Sequence, residues 1–187
     1  MSLAFVRQAL AHPKDIGSVW PSSPALARQM LAEAALQPGD RVVELGAGTG
    51  PFTRLLDAHD GPVLALEPVA ELAVIARQAA PRVEVVEALA HQLPDLLAER
   101  DWPHADAILS GLPFAVWEPE RQDAVLDAVL ATLKPGGRFV TFTYAHSRVL
   151  PAARRLAKTL RERFGPLQVS PVVWACVPPC VVYRLER

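Results

Sequence analysis

From residue 41 onward the apolar residues of this chain switch repeatedly between two spacings. Short runs dominated by Val, Leu, Ile and Ala at 41–45, 62–66, 83–86 and 105–109 have the length and composition of strands buried on both faces. Between and beyond them, at 52–58, 69–80, 91–100 and 119–133, apolar residues return every three or four positions, as on helices that cover such strands. Lys134-Pro135-Gly136-Gly137 stops the last of these helices and opens a strand at 138–144. A further helical pattern, carried by Val149, Ala153, Leu156, Leu160 and Phe164, leads through Gly165-Pro166 into β-rich runs at 167–176 and 180–185. Alternating strands and helices build a parallel sheet, and a closing pair of neighbouring strands turns its last member antiparallel. The expected fold class is α/β: a sheet that is mostly parallel with an antiparallel last strand, and helices on both faces.

The first 38 residues hold no strand pattern. Leu3, Phe5, Val6, Ala9 and Leu10 form an apolar stripe opposite Arg7, Gln8, His12 and Lys14, which predicts a short amphipathic helix packed as a lid or resting on a membrane. With 187 residues, 51% hydrophobic and 21% charged, the chain suffices for one buried core and not for two. It reads as a single domain over 1–187, with a helical lid at 1–38 and the α/β core at 39–187.

Composition narrows the setting. Apolar stretches fall short of the roughly 18–20 residues of a membrane span, and residues 1–10 lack the pattern of a secretory signal. The expected location is cytoplasmic, with any membrane association confined to a surface. Cys176 and Cys180 flank Val177-Pro178-Pro179. Two thiols do not close a zinc site, so no metal is expected and the pair reads as buried thiols in a reducing compartment. The formal net charge is −1, yet residues 148–163 hold six basic side chains, Arg148, Arg154, Arg155, Lys158, Arg161 and Arg163, against one acid, Glu162. Such a face is either merely solvated or attracts phosphate, whether of lipid head groups or of RNA.

The candidate chemistry starts at V-V-E-L-G-A-G-T-G, residues 42–50. A dinucleotide loop wants G-x-G-x-x-G, whereas here Gly46, Gly48 and Gly50 are more tightly spaced and followed by Pro51, a favoured first helical residue. This tight G-x-G-x-G with Glu44 ahead of it resembles the first motif of class I S-adenosylmethionine-dependent methyltransferases, whose sheet is Rossmann-like. Ligands of open parallel sheets bind outside the carboxyl ends of the strands, where the strand order reverses. There the backbone N–H groups of Gly46, Ala47, Gly48 and Gly50 are expected to meet the methionine part of S-adenosylmethionine, with Glu44 holding the loop or the ammonium group through water. Glu67-Pro68 closes the next strand, 21 residues after Gly46, about where an acid accepts hydrogen bonds from ribose hydroxyls. In this family the third strand ends in a G-D-A-like turn whose Asp touches the adenine amine. Here the chain reads V-V-E-A-L-A and Leu89 stands in its place. Either backbone groups at 88–90, including Ala88 and Leu89, or the carboxyl of Glu87 must take adenine; His91 and Gln92 read as helix-start residues.

The fourth strand ends A-I-L-S-G-L-P-F at 107–114, beside the transferable methyl in this fold. Nucleobase amine methyltransferases carry Asn or Asp there, then Pro-Pro or Leu-Pro, then an aromatic. In this chain Gly111 replaces the Asn, which argues against a nucleic-acid acceptor, while Phe114 and Trp117 are available to stack. A closer resemblance is to bacterial phospholipid N-methyltransferases. It rests on I-G-S-V-W-P-S-S-P-A-L-A-R at 16–28, the glycine loop, L-S-G-L-P-F at 109–114, L-K-P-G-G-R-F-V-T-F-T-Y at 133–144 and the tail V-P-P-C-V-V-Y-R.

That resemblance implies methyl transfer to the amine of phosphatidylethanolamine or a methylated derivative, on a protein that touches an anionic membrane peripherally. Ile16, Gly17, Ser18, Ser22 and Ser23 would line a lid over cofactor and acceptor. Ser110, Gly111, Leu112 and Pro113 would flank the amine, and Tyr144 and His146 would contact phosphate or the ammonium group. Since the attacking amine must first lose a proton, Tyr144 and His146 are the expected catalytic assistants, together with Ser110. Two other readings are an rRNA adenine dimethyltransferase-like enzyme using the 148–163 face, and a cofactor binder without turnover, motivated by Leu89 and by Cys176 where relatives often show Asn.

Overall fold

The computed structural model describes residues 23–187. Ser23 caps the first described helix, α1 (Pro24–Ala34), its hydroxyl accepting from the Leu26 N–H at 3.1 Å, with Pro24 at the first helical position. Leu26, Ala27, Met30 and Ala34 recur on one side of α1 and are completely or almost completely buried against the sheet. Residues 24–34 of the expected lid segment are therefore a helix of the core itself, tied down by the Arg138 guanidinium, which donates to the Ala35 carbonyl and pairs with Asp40 at 2.7 Å. The expected amphipathic stripe at 3–10 and the positions Ile16, Gly17, Ser18 and Ser22 lie outside the described residues.

After α1 the chain alternates as its apolar spacing predicts. The elements are β1 (Val42–Leu45), α2 (Thr53–Leu56), β2 (Val63–Leu66), α3 (Ala70–Ala79), β3 (Glu84–Val86), α4 (Leu93–Ala98), β4 (Ala105–Ser110), α5 (Pro119–Thr132), β5 (Leu133–Tyr144), α6 (Pro151–Phe164), β6 (Gln168–Val169) and β7 (Cys180–Glu186). Short 3-10 turns sit at Ala90–Gln92, Phe114–Val116 and Ala145–Val149. The strands form one sheet in the order β3-β2-β1-β4-β5-β7-β6, with β1 to β5 parallel and β7 antiparallel to both of its neighbours. Strand order reverses between β1 and β4, and this switch point places the ends of those two strands side by side.

Two apolar layers hold helices to the sheet. Val43, Leu45, Leu64, Leu66, Ile108 and Phe139 face α4, α5 and α6, while Val42, Ala65, Ala107, Leu109, Val140 and Val182 face α1, α2 and α3. Each fully buried Leu, Ile, Val or Phe contributes roughly 1.5–3 kcal/mol of transfer free energy.

Two boundaries differ from the sequence reading. β5 begins at Leu133, because Leu133 pairs with Ala105 and Arg138 with Ala107, so the Lys134-Pro135-Gly136-Gly137 turn loops out of a ladder that has already started. The β-rich run at 167–176 contracts to the two residues of β6 plus an isolated bridge between Val173 and Cys180, since Pro171 offers no N–H to extend the pairing. The Val177-Pro178-Pro179 segment brings the two thiols together, their sulfurs 2.8 Å apart and buried, and burial pushes the Cys180 thiol up from its ordinary pKa.

Candidate active site

The three glycines at the end of β1 all adopt positive φ, at +79° for Gly46, +57° for Gly48 and +81° for Gly50, but their surroundings differ. A Cβ on Gly46 would sit 2.8 Å from Leu112 Cδ2, and one on Gly50 would meet α3 at Ala79 Cβ (3.2 Å) and Ala76 Cα (3.3 Å). At Gly48 no described residue lies within 4 Å of that position. Gly46 thus admits the 111–113 turn, Gly50 admits a helix, and Gly48 faces open space beside Glu67.

The backbone donors of this loop are already committed. The N–H groups of Gly46 and Ala47 both donate to the Leu66 carbonyl, that of Gly50 to Ala47, and that of Gly48 to Glu67 Oε2 at 2.8 Å. The expectation that these amides are free for a ligand is corrected: the loop offers room and carbonyl edges, because its donors close the junction between β1 and β2.

Glu67 carries the polar chemistry of the cleft. It ends β2 at 6% exposure, and its second oxygen accepts from the Val69 N–H at 3.0 Å. A carboxylate has about four acceptor sites, so two backbone donors leave about two for a ligand's hydroxyls. Burial raises the Glu67 pKa, and the bonds from Gly48 and Val69 pull it back.

Glu44, on β1, is entirely buried beneath the loop, and neither of its oxygens has a hydrogen-bond partner among the described residues. Burial pushes its pKa up to about 7, and the neighbouring hydroxyl and N–H of Thr53, too poorly placed for full hydrogen bonds, offset only part of the rise. An acid with a raised folded-state pKa contributes its full stability below the unfolded value, here 4.5, and loses that contribution as pH rises through about 7. Glu44→Gln is expected to flatten the fall in stability of ligand-free protein across this window. Above pH 7 thermal melts should then place the variant higher than wild type, at about 2–4 °C per kcal/mol for a chain of this size.

Around this nucleus the structure brings together most of the residues singled out from sequence. Gly46, Gly48, Glu67 and Pro68 form one side of the cleft, Leu89 and His91 close one end, and Gly111, Leu112, Pro113 and Trp117 form the opposite wall. Glu87 is turned away and paired with Arg77 at 3.1 Å, so the backbone at 88–90 is left as the polar edge near Leu89, whose own N–H is taken by Gln92 Oε1. Arg121, Ala124 and Val125 of α5 also line the cleft, and the Arg121 guanidinium lies 4.2 Å over the Trp117 ring. Sequence reasoning passed over Arg121, because Trp117 is extended and precedes α5, so no helical spacing announces the contact between the two.

Other expected site residues lie elsewhere. Ala47 and Ala88 are buried in the two apolar layers and line neither cavity, and Gly50 is packed against α3. Ser110 has no exposure; its hydroxyl accepts from the Leu112 N–H at 3.3 Å and its carbonyl from Thr141. Ser110 therefore braces the turn rather than reaching a ligand. Phe114, expected to stack on a flat acceptor, is 2% exposed and packed edge-on between Trp117 and Phe139. A ring held that way has no free face.

A second cavity of about 250 Å³ adjoins the cleft, sharing Gly111, Leu112 and Pro113 with it. Its other walls are apolar, from Phe114 to Val116, Phe142, Leu150 and Ala153, with Thr143, Tyr144 and Ser147 as the polar exceptions. Tyr144 stacks at 5.8 Å on His146, which is exposed and outside the cavity wall.

A family model described as "Methyltransferase domain" matches residues 42–137, just over half of the chain and the stretch that builds the cleft. The chain belongs to the methyltransferase domain family. It is 28% identical to an ornithine lipid N-methyltransferase of Singulisphaera acidiphila over 86% of this chain and 97% of that protein. It is also 34% identical to the ribosomal RNA small subunit methyltransferase A of Thermotoga neapolitana, over 57% of this chain and only 40% of that one. In structure it resembles an O-methyltransferase from Bacillus cereus in complex with SAH, with a TM-score of 0.71 at 15% identity over 100% of this chain and 92% of the other.

This methyltransferase uses S-adenosylmethionine as methyl donor, and the cleft suits it. Glu67 retains acceptor sites that would take ribose hydroxyls, Gly48 leaves an open cradle beside it among the described residues, Leu89 and Trp117 supply apolar surface, and Glu44 is a buried acid under the loop with no hydrogen-bond partner among those residues.

Proposed function

We propose that this methyltransferase acts on the primary or partly methylated amine of a membrane lipid, such as the head group of phosphatidylethanolamine. The observation that carries this reading is the apolar cavity bordering the cleft through Gly111, Leu112 and Pro113. A lipid head group with its attached glycerol and first acyl carbons fits an apolar channel with a few polar groups at one wall. A nucleobase fits poorly, because Gly111 has no side-chain amide to hold its amine and Phe114, 2% exposed, offers no open face to stack on it. Similarity to an ornithine lipid N-methyltransferase over nearly that protein's full length supports the same class of acceptor.

S-adenosylmethionine supplies a methyl group on a positively charged sulfur. The chain's contribution is largely alignment, which brings an amine lone pair in line with that methyl and accounts for much of the acceleration in such transfers. Ser110 fixes the 110–113 turn, so that Leu112 and Pro113 hold the boundary between cofactor and acceptor. Tyr144, on the cavity wall, accepts a hydrogen bond from the ammonium group and orients it; the proton leaves to water before the freed lone pair attacks, and His146 packs against the Tyr144 ring and steadies it.

Purified protein incubated with methyl-labelled S-adenosylmethionine and either phosphatidylethanolamine vesicles or total rRNA tests the reading. Label is expected in the lipid fraction; label in rRNA with none in lipid sinks it.

A further inference from the structure

The six basic residues of 148–163 are not equivalent. Arg163 bonds Asp127 at 2.6 Å and lies 3.8 Å from Asp123, and Lys158 reaches Glu162 at 3.6 Å, so these two cations are answered within the fold. Arg148, Arg154 and Arg161 have no acidic partner among the described residues, and all three line one shallow basin of about 400 Å³. Arg154, Ala157 and Arg161 fall on one face of α6, and the 3-10 turn Ala145–Val149 folds Arg148 toward it, with Tyr183 of β7 completing the wall. Among the described residues no carboxylate lines the basin, and of its guanidinium groups Arg161 alone makes a hydrogen bond, to the Ala157 carbonyl of its own helix.

Its position gives this charge a direction. The basin begins where the acceptor cavity ends: Tyr144 and Ala145, Leu150 and Val149, and Ala153 and Arg154 are neighbours in the chain with one member in each wall. Beside it stand exposed apolar side chains, Val116 at 58%, Val149 at 65% and Leu150 at 52%. One exposed valine means little, but apolar residues interleaved with unanswered arginines at the mouth of an apolar cavity match a surface that meets anionic lipid.

We propose that the Arg148–Arg154–Arg161 basin binds the phosphate of an anionic phospholipid at the membrane surface and so holds the acceptor cavity's mouth against the bilayer. This rests on the lipid-amine reading above. Guanidinium groups engage phosphate oxygens through paired, charge-assisted hydrogen bonds, and each presents five donors in a fixed fork. Val149 and Leu150 enter the boundary between head groups and acyl chains beside that contact.

Flotation with vesicles of phosphatidylcholine, with or without phosphatidylglycerol, tests this directly. Wild type should float with the anionic vesicles and be released as salt rises from about 0.1 to 1 M, which shortens the screening length from about 10 to 3 Å. The triple variant R148Q/R154Q/R161Q, altered only at exposed positions, should lose roughly a hundredfold in partitioning. A control triple on the same helix, R155Q/K158Q/R163Q, removes equal charge outside the basin and should lose far less. Equal losses in the two triples overturn the proposal, as does wild type that ignores anionic vesicles. Basin-dependent binding of inorganic phosphate without vesicle binding assigns the site to free phosphate, and basin-dependent binding of rRNA in preference to vesicles assigns it to RNA; either overturns it too. Methylation of detergent-dispersed phosphatidylethanolamine, measured alongside, separates the two claims: its absence in wild type sinks the acceptor reading, whereas unaltered vesicle binding by the basin triple sinks the docking site alone.

Discussion

Gly46→Asp is expected to abolish cofactor binding that calorimetric titration can measure, a loss of at least about a hundredfold. Three costs coincide there. A non-glycine residue at φ +79° pays about 1–2 kcal/mol, and its Cβ arrives 2.8 Å from Leu112 Cδ2, so the wall shared by both cavities must shift. The new carboxyl also joins Glu44 and Glu67, two acids whose pKa values are already raised by burial. Gly46→Ala carries the backbone and steric costs without the charge and should fall in between. Wild-type affinity in a folded Gly46→Asp protein would mean that the cofactor does not cross this loop.

Glu67→Ala should be nearly as damaging, by a different route. The Gly48 and Val69 N–H groups lose their acceptor together, and an unpaired buried donor costs about 1–3 kcal/mol. Part of this loosens the glycine loop, and part removes the remaining acceptor sites offered to ribose. The expected result is at least about a hundredfold weaker S-adenosylmethionine binding and a lower melting temperature. In turnover assays KM for the cofactor should rise more than kcat falls, the signature of binding lost in ground and transition state alike. Glu67→Gln keeps one acceptor oxygen but turns an amide donor toward one of the two N–H groups, and should bind between wild type and Glu67→Ala. Retained affinity in Glu67→Ala would remove Glu67 from the site.

Both variants concern positions that the sequence exposes through spacing. Glycines at 46, 48 and 50 after a buried run, and an acid closing the next run, are local patterns, and the parallel sheet follows from apolar runs that carry no two-residue alternation. What the sequence hides depends on who packs against whom. The loop amides look free until the Leu66 carbonyl and Glu67 are seen to take them. Phe114 follows Leu-Pro where a stacking ring is expected, but Phe139 and Trp117 enclose it. Helix α1 has its signals in plain view, Ser23-Pro24 and apolar residues at 26, 27, 30 and 34, yet nothing local says that they cover the sheet rather than the cleft. Which arginines of 148–163 are unpaired depends on Asp123 and Asp127, some forty residues earlier in the chain.

The central claim is that Glu67 receives the ribose of the methyl donor in this cleft. It is tested most directly by titrating SAH and its 2′-deoxy analogue into wild type and Glu67→Ala, a cycle that isolates the contact between one carboxylate and one hydroxyl. The account predicts that losing the hydroxyl weakens binding to wild type by about tenfold or more, as for a hydrogen bond to a charged group, and changes binding to Glu67→Ala very little. An equal loss in both proteins would contradict it.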